Sequence, residues 1–306
     1  MAQSILVIGG GFSGITAALE AAELGEEVFL VEKSPYLGGR VMQLNKYFPK
    51  LCPPSCGLEI QYQRIKNNRN LQVFTMAEVV SVSGEAGNYE VTVKLRPKHT
   101  PPSSVDLSGL AESLSQDVDN EFEFGLVKRK PLYMSAPFAY PQRYVLDTDN
   151  LSEEDRAKLS KSKQIDLNEE EKTLTLQVGS IVVATGWQPY DASNLTNLGA
   201  GRIANCISNM QMERLAAPSG PTEGHIKRPS DDTAPKKVAF VQCAGSRDEN
   251  HLNYCSYICC MASLKQARYV REQYPDSEVD IFYIDLRTPG RYENFAQQTL
   301  TDENIR

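Results

Sequence analysis

Four cysteines near the C-terminal end of the sequence stand close enough together to hold one metal centre. Cys243, Cys255, Cys259 and Cys260 follow the spacing C-x11-C-x3-C-C, and residues 243–260 are called the four-cysteine segment below. Each thiolate donates one bond to iron, and four thiolates from a short, turn-rich segment can surround a 4Fe-4S cluster. The pattern therefore favours an iron–sulfur cluster and, with it, electron transfer.

Other uses of these cysteines stay open at this point. A structural zinc site usually contains a CxxC pair, and no CxxC occurs anywhere in the sequence. Redox-active thiols, a disulfide pair and apolar packing of buried cysteine are the remaining alternatives. The spacing favours iron–sulfur ligation over each of them.

A glycine-rich motif near the N-terminus predicts a dinucleotide site. Residues 4–8 have the pattern of a buried strand that runs into GxGxxG, and an apolar-periodic helix and a second strand follow. The first glycine permits the tight turn, the second lets a pyrophosphate approach the backbone, and the third lets the helix pack close to the strand. The second strand ends in an acid that can accept hydrogen bonds from ribose hydroxyls. The candidate contact residues are Gly9, Gly11, Phe12, Ser13, Gly14, Glu32 and Lys33.

Two further motifs favour FAD over NAD as the dinucleotide. Gly39 and Arg40 follow Gly38 just beyond the second strand, and this sequence resembles the second glycine-rich contact of FAD-dependent oxidoreductases of the glutathione-reductase type. Ala184, Thr185 and Gly186 end a later buried strand and resemble the ATG motif of the same flavoproteins. A strand followed by an ordinary turn glycine is the alternative for the latter.

Composition excludes several classes of function. The chain has 306 residues and a net charge of -7, which argues against a nucleic-acid surface. No run of 18 apolar residues predicts a membrane span. Seven cysteines, an odd number without an export signal, indicate a reducing compartment, so we expect a cytoplasmic protein.

The order of the predicted elements indicates an α/β fold with two Rossmann-type units. We expect residues 1–97 to begin an FAD-binding domain, 98–172 to form an inserted, solvated surface excursion, and 173–217 to complete the domain. A linker rich in proline and glycine would cover 218–235, and 236–306 would form a second unit that carries the four-cysteine segment. This second unit has a single glycine, Gly245, where GxGxxG would cradle NAD.

Cys52 and Cys56 form a second candidate site, in a loop stiffened by two prolines. They follow the predicted FAD region, as the active pair of glutathione-reductase relatives does, so a redox pair is one hypothesis. Their different spacing and their distance from Gly39 equally allow an inert structural role.

Three stretches carry a family resemblance. Residues 220–230 (GPTEGHIKRPS), 238–248 (VAFVQCAGSRD) and 254–260 (YCSYICC) resemble the A subunit of heterodisulfide reductases, and the likeness covers nearly the whole chain. The resemblance implies a thioredoxin-reductase-like fold that binds FAD, with the four matching cysteines holding a 4Fe-4S cluster. Many members carry an inserted ferredoxin domain. Residues 129–143 look like the edge of that insertion, but residues 98–172 contain no cysteine.

Because it has no cysteines for ferredoxin clusters, the chain resembles the A subunit of the quinone-interacting membrane-bound oxidoreductase (Qmo). That resemblance implies two partners, namely a second flavoprotein or iron–sulfur protein and a haem-bearing membrane subunit that ties the complex to the membrane. It also implies exchange of electrons between quinones and adenylylsulfate reductase. The Gly-Asp return segment that closes such flavin domains is not found before Arg306. A truncated chain and completion of the flavin site by a partner are the two explanations.

The leading hypothesis is an electron-transfer subunit that contains FAD and an iron–sulfur cluster, because the protein then supplies position and tuning to cofactors that carry the chemistry. A flavin-dependent disulfide reductase that uses Cys52 and Cys56 is one alternative. The others are an electron-bifurcating subunit of the heterodisulfide reductase type and a non-catalytic assembly scaffold.

Overall fold

The computed structural model describes residues 4–102 and 105–306. It divides into two compact units, Met1–Trp187 and Gln188–Arg306. In chain order the first unit contains β1 (Ile5–Ile8), α1 (Phe12–Glu23), β2 (Val28–Glu32), α2 (Pro54–Asn67), β3 (Leu71–Thr75), β4 (Ala77–Glu85), β5 (Asn88–Leu95), α3 (Ser108–Glu112), β6 (Val118–Asp119), β7 (Lys128–Arg129), β8 (Leu132–Tyr133), β9 (Val145–Leu146), α4 (Glu153–Leu159), β10 (Lys172–Val178) and β11 (Ser180–Val183).

A four-stranded parallel sheet is the framework of the first unit. Its strand order is β11-β1-β2-β3, so the first and last strands of the unit are neighbours. Helix α1 crosses from β1 to β2 and buries Ile15, Ala18, Leu19 and Ala22, a stripe at helical spacing, against the sheet. The predicted α/β fold with a parallel Rossmann sheet is confirmed.

A three-stranded antiparallel sheet, ordered β10-β5-β4, extends the first unit. Strands β4 and β5 form a hairpin, which turns at Ala86 and Gly87, and Gly87 has a φ of 91° that favours glycine. Val91, Val93 and Val178 of this sheet pack with Leu6 and Val31 of the parallel sheet in one apolar cluster.

Residues 98–172 are not the solvated excursion expected from their polar composition. Leu107, Leu132, Leu146 and Leu159 are buried in a small core of this segment. A second set, Phe122, Ala136 and Ala139, is buried in the cluster that contains α1. The expectation was wrong because the polar composition hides a short apolar stripe at helical spacing, Leu107, Leu110, Ala111 and Leu114, and because the other buried leucines lie far apart in the sequence.

The second unit is built on two parallel strands with a crossover helix. It contains α5 (Asn209–Ala216), β12 (Lys237–Val241), α6 (Cys259–Gln273), β13 (Glu278–Phe282) and α7 (Tyr292–Leu300). Strands β12 and β13 pair in parallel across α6, as in half of a Rossmann unit. The unit starts before the predicted linker, since α5 packs on α6 and Gln266 Nε2 donates to Glu213 Oε1 at 2.6 Å.

Cys56 does not lie in the loop expected from the two prolines: helix α2 begins at Pro54, because proline is tolerated in the first turn of a helix, and it includes Cys56. Helix α6 begins at Cys259. Within the described parts of the chain, no helix is both long and apolar enough to cross a membrane.

Candidate functional site

The turn between β1 and α1 needs two of its three motif glycines for its own packing. Gly9 has a φ of 107°, and a Cβ added there would lie 2.3 Å from the Ala184 carbonyl oxygen. A Cβ on Gly14 would lie 1.8 Å from the Gly9 carbonyl oxygen. Both distances are far below any allowed contact, so these positions exclude a larger residue for reasons within the protein.

Gly11 is different, because nothing in the protein requires a glycine there. Its φ of -72° and ψ of 179° are open to any residue, and an added Cβ would meet no atom within 4 Å. Gly11 is also the N-cap of α1, and no side chain caps that helix end. The space above Gly11 therefore fits a pyrophosphate, which would accept hydrogen bonds from the free N–H groups at the helix N-terminus.

The three glycine-containing motifs meet at the carboxyl end of the parallel sheet. Gly38 N donates to Gly10 O at 2.7 Å, and a Cβ on Gly39 would lie 3.0 Å from Gly11 Cα. From the other side, Ala184 N donates to Ile8 O at 2.8 Å, beside Gly9. Thr185 and Gly186 follow directly, and Gly186 has a φ of 71°. The carboxyl ends of such strands are where dinucleotides bind in this class of sheet.

Glu32, the predicted ribose contact, lies at the end of β2 and is held by main-chain donors. Its Oε2 accepts from Gly10 N at 2.6 Å and its Oε1 from Ser34 N at 2.7 Å. Each carboxylate oxygen has a second acceptor site for a ribose hydroxyl. Main-chain donors therefore fix the orientation of the carboxylate.

The remaining predicted contacts differ in their surroundings. Lys33 pairs with Glu78 at 3.4 Å on the surface, and 70% of its side chain is exposed. Arg40 Nη1 donates to Gln43 Oε1 at 3.0 Å, and its guanidinium lies over Phe124. The Phe12 ring lies 6.3 Å from the Tyr47 ring, and Ser13 is exposed. These four contacts stay predictions.

Cys52 and Cys56 both lie near Tyr47. Burial raises the pKa of the Tyr47 hydroxyl, and the charges of both thiols add to that effect. Cys52 O also accepts from Tyr47 N at 3.1 Å. Both thiols are free, and Cys56 is exposed in the first turn of α2. The predicted redox role stays a hypothesis, although the two cysteines do share one neighbourhood.

The four cysteines lie in the connection that runs from the end of β12 to the first turn of α6. Burial raises the pKa of the Cys260 thiol, a hydrogen bond with the main chain of Arg287 lowers it, and the charges of Cys259, Cys243 and Cys255 raise it. Cys243 follows β12 with a φ of 56°, and Cys259 and Cys260 open α6. Among residues 4–102 and 105–306, no three or more His, Cys, Asp or Glu side chains are grouped so that they could hold a metal ion. The cluster assignment therefore stays a prediction.

Polar groups around the cysteines were not found from the sequence. The Arg247 guanidinium lies beside Cys243 and pairs with Asp285. Arg287 donates to the other oxygen of Asp285 at 3.2 Å and lies near Cys255. The φ values of 58° at Arg247 and 69° at Tyr257 are unusual for residues with a Cβ, and such strain collects at functional sites.

One buried donor next to the cysteines has no protein partner. Gln242 is 8% exposed, and its Nε2 has no hydrogen-bond acceptor within the described residues. An unsatisfied buried amide is costly, so such a group indicates a missing acceptor. Gln242 directly precedes Cys243, and the sulfurs of a bound cluster are acceptors. The donor set therefore fits an iron–sulfur cluster in its chemistry.

Comparison with known proteins shows relatives over almost the entire chain. The family model described as FAD dependent oxidoreductase matches residues 4–48. One of the iron-sulfur A subunits of the CoB–CoM heterodisulfide reductase of Methanopyrus kandleri is 38% identical, over 99% of this chain and 47% of its own length. The corresponding protein of Methanocaldococcus jannaschii is 38% identical, over 97% of this chain and 46% of its own length. The chain thus spans about half the length of the curated relatives it matches.

Among solved structures, the bacillithiol disulfide reductase of Bacillus cereus resembles this chain with a TM-score of 0.45 and 12% identity, over 100% of this chain and 67% of that one. The near-complete matches in sequence confirm the resemblance that residues 220–230, 238–248 and 254–260 carry. The curated homologues of this chain over nearly its whole length are therefore heterodisulfide reductase A subunits, and its N-terminal residues match the FAD-dependent oxidoreductases.

Proposed function

We propose that this chain is the core of an electron-transfer subunit, with FAD on the glycine motifs of the first unit and one 4Fe-4S cluster on the four-cysteine segment. The observation that carries the proposal is the placement of all four cysteines in one connection of the second unit, between the end of β12 and the first turn of α6. Four thiolates in one place repel each other, and the positive charge of iron relieves that repulsion.

The chain's own residues position these groups. Gly11 leaves room for the pyrophosphate, and the N-terminus of α1 offers it unpaired N–H groups. Arg247 places a positive charge beside Cys243, and nearby charge and hydrogen bonds shift the potential of such clusters. When bound, FAD and the cluster would supply the uptake and release of electrons, a chemistry for which amino-acid side chains are poorly suited.

We place the chain closer to Qmo-type subunits than to ferredoxin-containing ones. Residues 98–172 contain no cysteine and pack around a leucine core of their own, so this insertion has no thiolates for ferredoxin clusters. On this proposal one partner is a second flavoprotein or iron–sulfur protein, and the other is a haem-bearing subunit that ties the complex to a membrane. Electrons then pass between quinones and adenylylsulfate reductase.

Reduction of a heterodisulfide is the second candidate for the whole complex. It is favoured by the names of the relatives, which are CoB–CoM heterodisulfide reductase subunits. The complete complex, isolated with its partner subunits, distinguishes the two candidates. Reduction of its cofactors by a quinol supports the Qmo-type assignment, and reoxidation by a heterodisulfide supports the other.

Cofactor content after anaerobic purification tests the proposal on the chain itself. We expect one FAD and about four iron atoms per chain, as for a single cubane cluster. Zinc in place of iron, or flavin without any iron, would reject the cluster half of the proposal. Iron without flavin would reject the other half, and absence of both would leave only the scaffold hypothesis.

A further inference from the structure

A cavity of about 430 Å³ lies in the first unit and is lined by residues outside the glycine motifs. It opens where the carboxyl end of β3 meets the chain that leaves β5 and the chain that enters β10. Four cationic residues line it, and we call it the cationic pocket; three of them, Arg96, Lys98 and Arg143, carry the argument below. Neither the family resemblance nor the proposed cofactors assign a role to these residues.

The three cations are held in place by neutral oxygens. Lys98 Nζ donates to the carbonyl oxygen of Thr75 at 2.9 Å, and Arg96 Nη2 donates to the carbonyl oxygen of Lys33 at 2.8 Å. Arg143 donates from Nε to the hydroxyl of Thr100 at 3.2 Å and from Nη2 to its carbonyl oxygen.

The pocket carries more positive than negative charge. Two glutamates line it, and one of them, Glu169, is already bound to the main chain, since its Oε2 accepts from Lys98 N at 3.1 Å and His99 N at 2.6 Å. In the part of the chain that the structure describes, no carboxylate oxygen lies within 4 Å of the charged groups of Arg96, Lys98 or Arg143.

The pKa values of Lys98 and Arg143 are lowered by burial, and neighbouring positive charge adds to the effect at Lys98. Burial lowers the pKa of Lys98, the charges of Arg143 and Arg96 lower it further, and Glu169 opposes them. Burial also lowers the pKa of Arg143. Buried cations are normally paired with an anion. Lys98 and Arg143 are partly buried and donate to neutral acceptors, so an anion bound beside them would be stabilised electrostatically.

We propose that the cationic pocket binds the phosphate or sulfate group of a small ligand. A tetrahedral oxyanion matches the planar donors of arginine and the point charge of lysine, and charge-assisted hydrogen bonds are the strong ones. The volume exceeds that of a bare oxyanion and falls in the range of small-molecule sites, so there is room for an organic group attached to it.

Anion titrations of the purified protein test this proposal. Isothermal titration calorimetry would use inorganic phosphate and sulfate at constant ionic strength, with chloride as the reference anion. Lys98→Met keeps the length of the side chain and removes its charge. We expect a Kd about 10- to 100-fold weaker, since one hydrogen bond to a charged group is lost. Lys163→Met, at an exposed lysine of the same unit, removes the same charge and should leave the Kd unchanged.

A second variant and a second ligand complete the design. If Lys98→Met does not fold, Arg143→Gln takes its place in the same titrations, and its Kd tests the proposal. Glycerol phosphate distinguishes a phosphate ester from free phosphate as the ligand. A lower Kd for glycerol phosphate than for inorganic phosphate indicates an ester, and an equal Kd indicates the free ion. Binding no stronger than that of chloride, or a Kd unaffected by both pocket variants, would overturn the proposal.

Discussion

Replacing Gly11 by valine separates ligand binding from folding at the predicted flavin site. The backbone there is extended, with a φ of -72° and a ψ of 179°, and an added Cβ meets no protein atom within 4 Å. The Cβ of a side chain at this position therefore enters space that is open in the protein and that is predicted to hold the pyrophosphate. We expect Gly11→Val to fold and to lose its flavin.

The size of both effects follows from the geometry. Replacing a glycine where the new residue fits without strain changes the free energy of unfolding of the apoprotein by about 0.4–1 kcal/mol, in the stabilising direction. Each hydrogen bond that the displaced pyrophosphate loses costs ~1.5–3 kcal/mol, because the acceptor is charged. Loss of two such bonds weakens FAD binding by at least about a hundredfold.

Two matched variants control this experiment. Gly109→Val adds the same side chain in α3, where an added Cβ also meets no atom within 4 Å, and should leave flavin content unchanged. Gly14→Ala places its Cβ 1.8 Å from the Gly9 carbonyl oxygen, so it should lower stability and flavin together.

Flavin per chain after gel filtration and the midpoint of urea unfolding of the apoproteins are the two measurements. If Gly11→Val retained FAD with wild-type affinity, the pyrophosphate would not lie over Gly11 and the assignment of this motif would be wrong. An unstable Gly11→Val apoprotein would refute the structural argument instead, because it would reveal a contact that the open space excludes.

Three further predictions concern the second unit. Replacing any one cysteine of the four-cysteine segment by serine should lower bound iron and leave flavin in place, while Cys206→Ser should keep full iron; full iron in all four variants would remove the cluster assignment. NADH and NADPH should not bleach the flavin in rapid mixing, because a single glycine, Gly245, stands where a nucleotide fingerprint needs three; fast bleaching by either would contradict this. Glu213→Gln should lower the free energy of unfolding in urea by ~3–5 kcal/mol, because Lys265 Nζ, 3.1 Å away, loses its buried counter-charge. A decrease in that free energy as small as the one for an exposed ion pair would contradict this prediction.

Local features of the fold were predictable from sequence, because each one depends on residues close together in the chain. The apolar stripe of α1 and the glycine turn before it lie within a few residues of each other. The alternation of Val91 and Val93 in β5, with a turn glycine before it, is typical of a hairpin strand. Proline can stiffen a loop or start a helix, so the sequence alone predicts a loop at Cys56, whereas Pro53 and Pro54 start α2 there.

The candidate sites were predictable in their residue types and only partly in their surroundings. The cysteine spacing indicated the ligands of a cluster, but no spacing assigned a role to Gln242 and Arg247, although both lie in the quoted stretch 238–248, and Asp285 belongs to no motif. Their place near the thiols depends on the pairing of β12 with β13 and on the course of the loops that follow.

The sequence by itself determined the family, the Rossmann character of the fold and the chemistry of the thiols, since these follow from local periodicity and from residue types at short spacing. Only the tertiary structure decided which distant residues meet. It placed Ala184 against Gly9, buried the leucines of residues 98–172 in a core, and brought Lys98 and Arg143 to one cavity. The physical reason is that contacts between distant residues arise from strand order and packing, which leave no periodic trace in the chain.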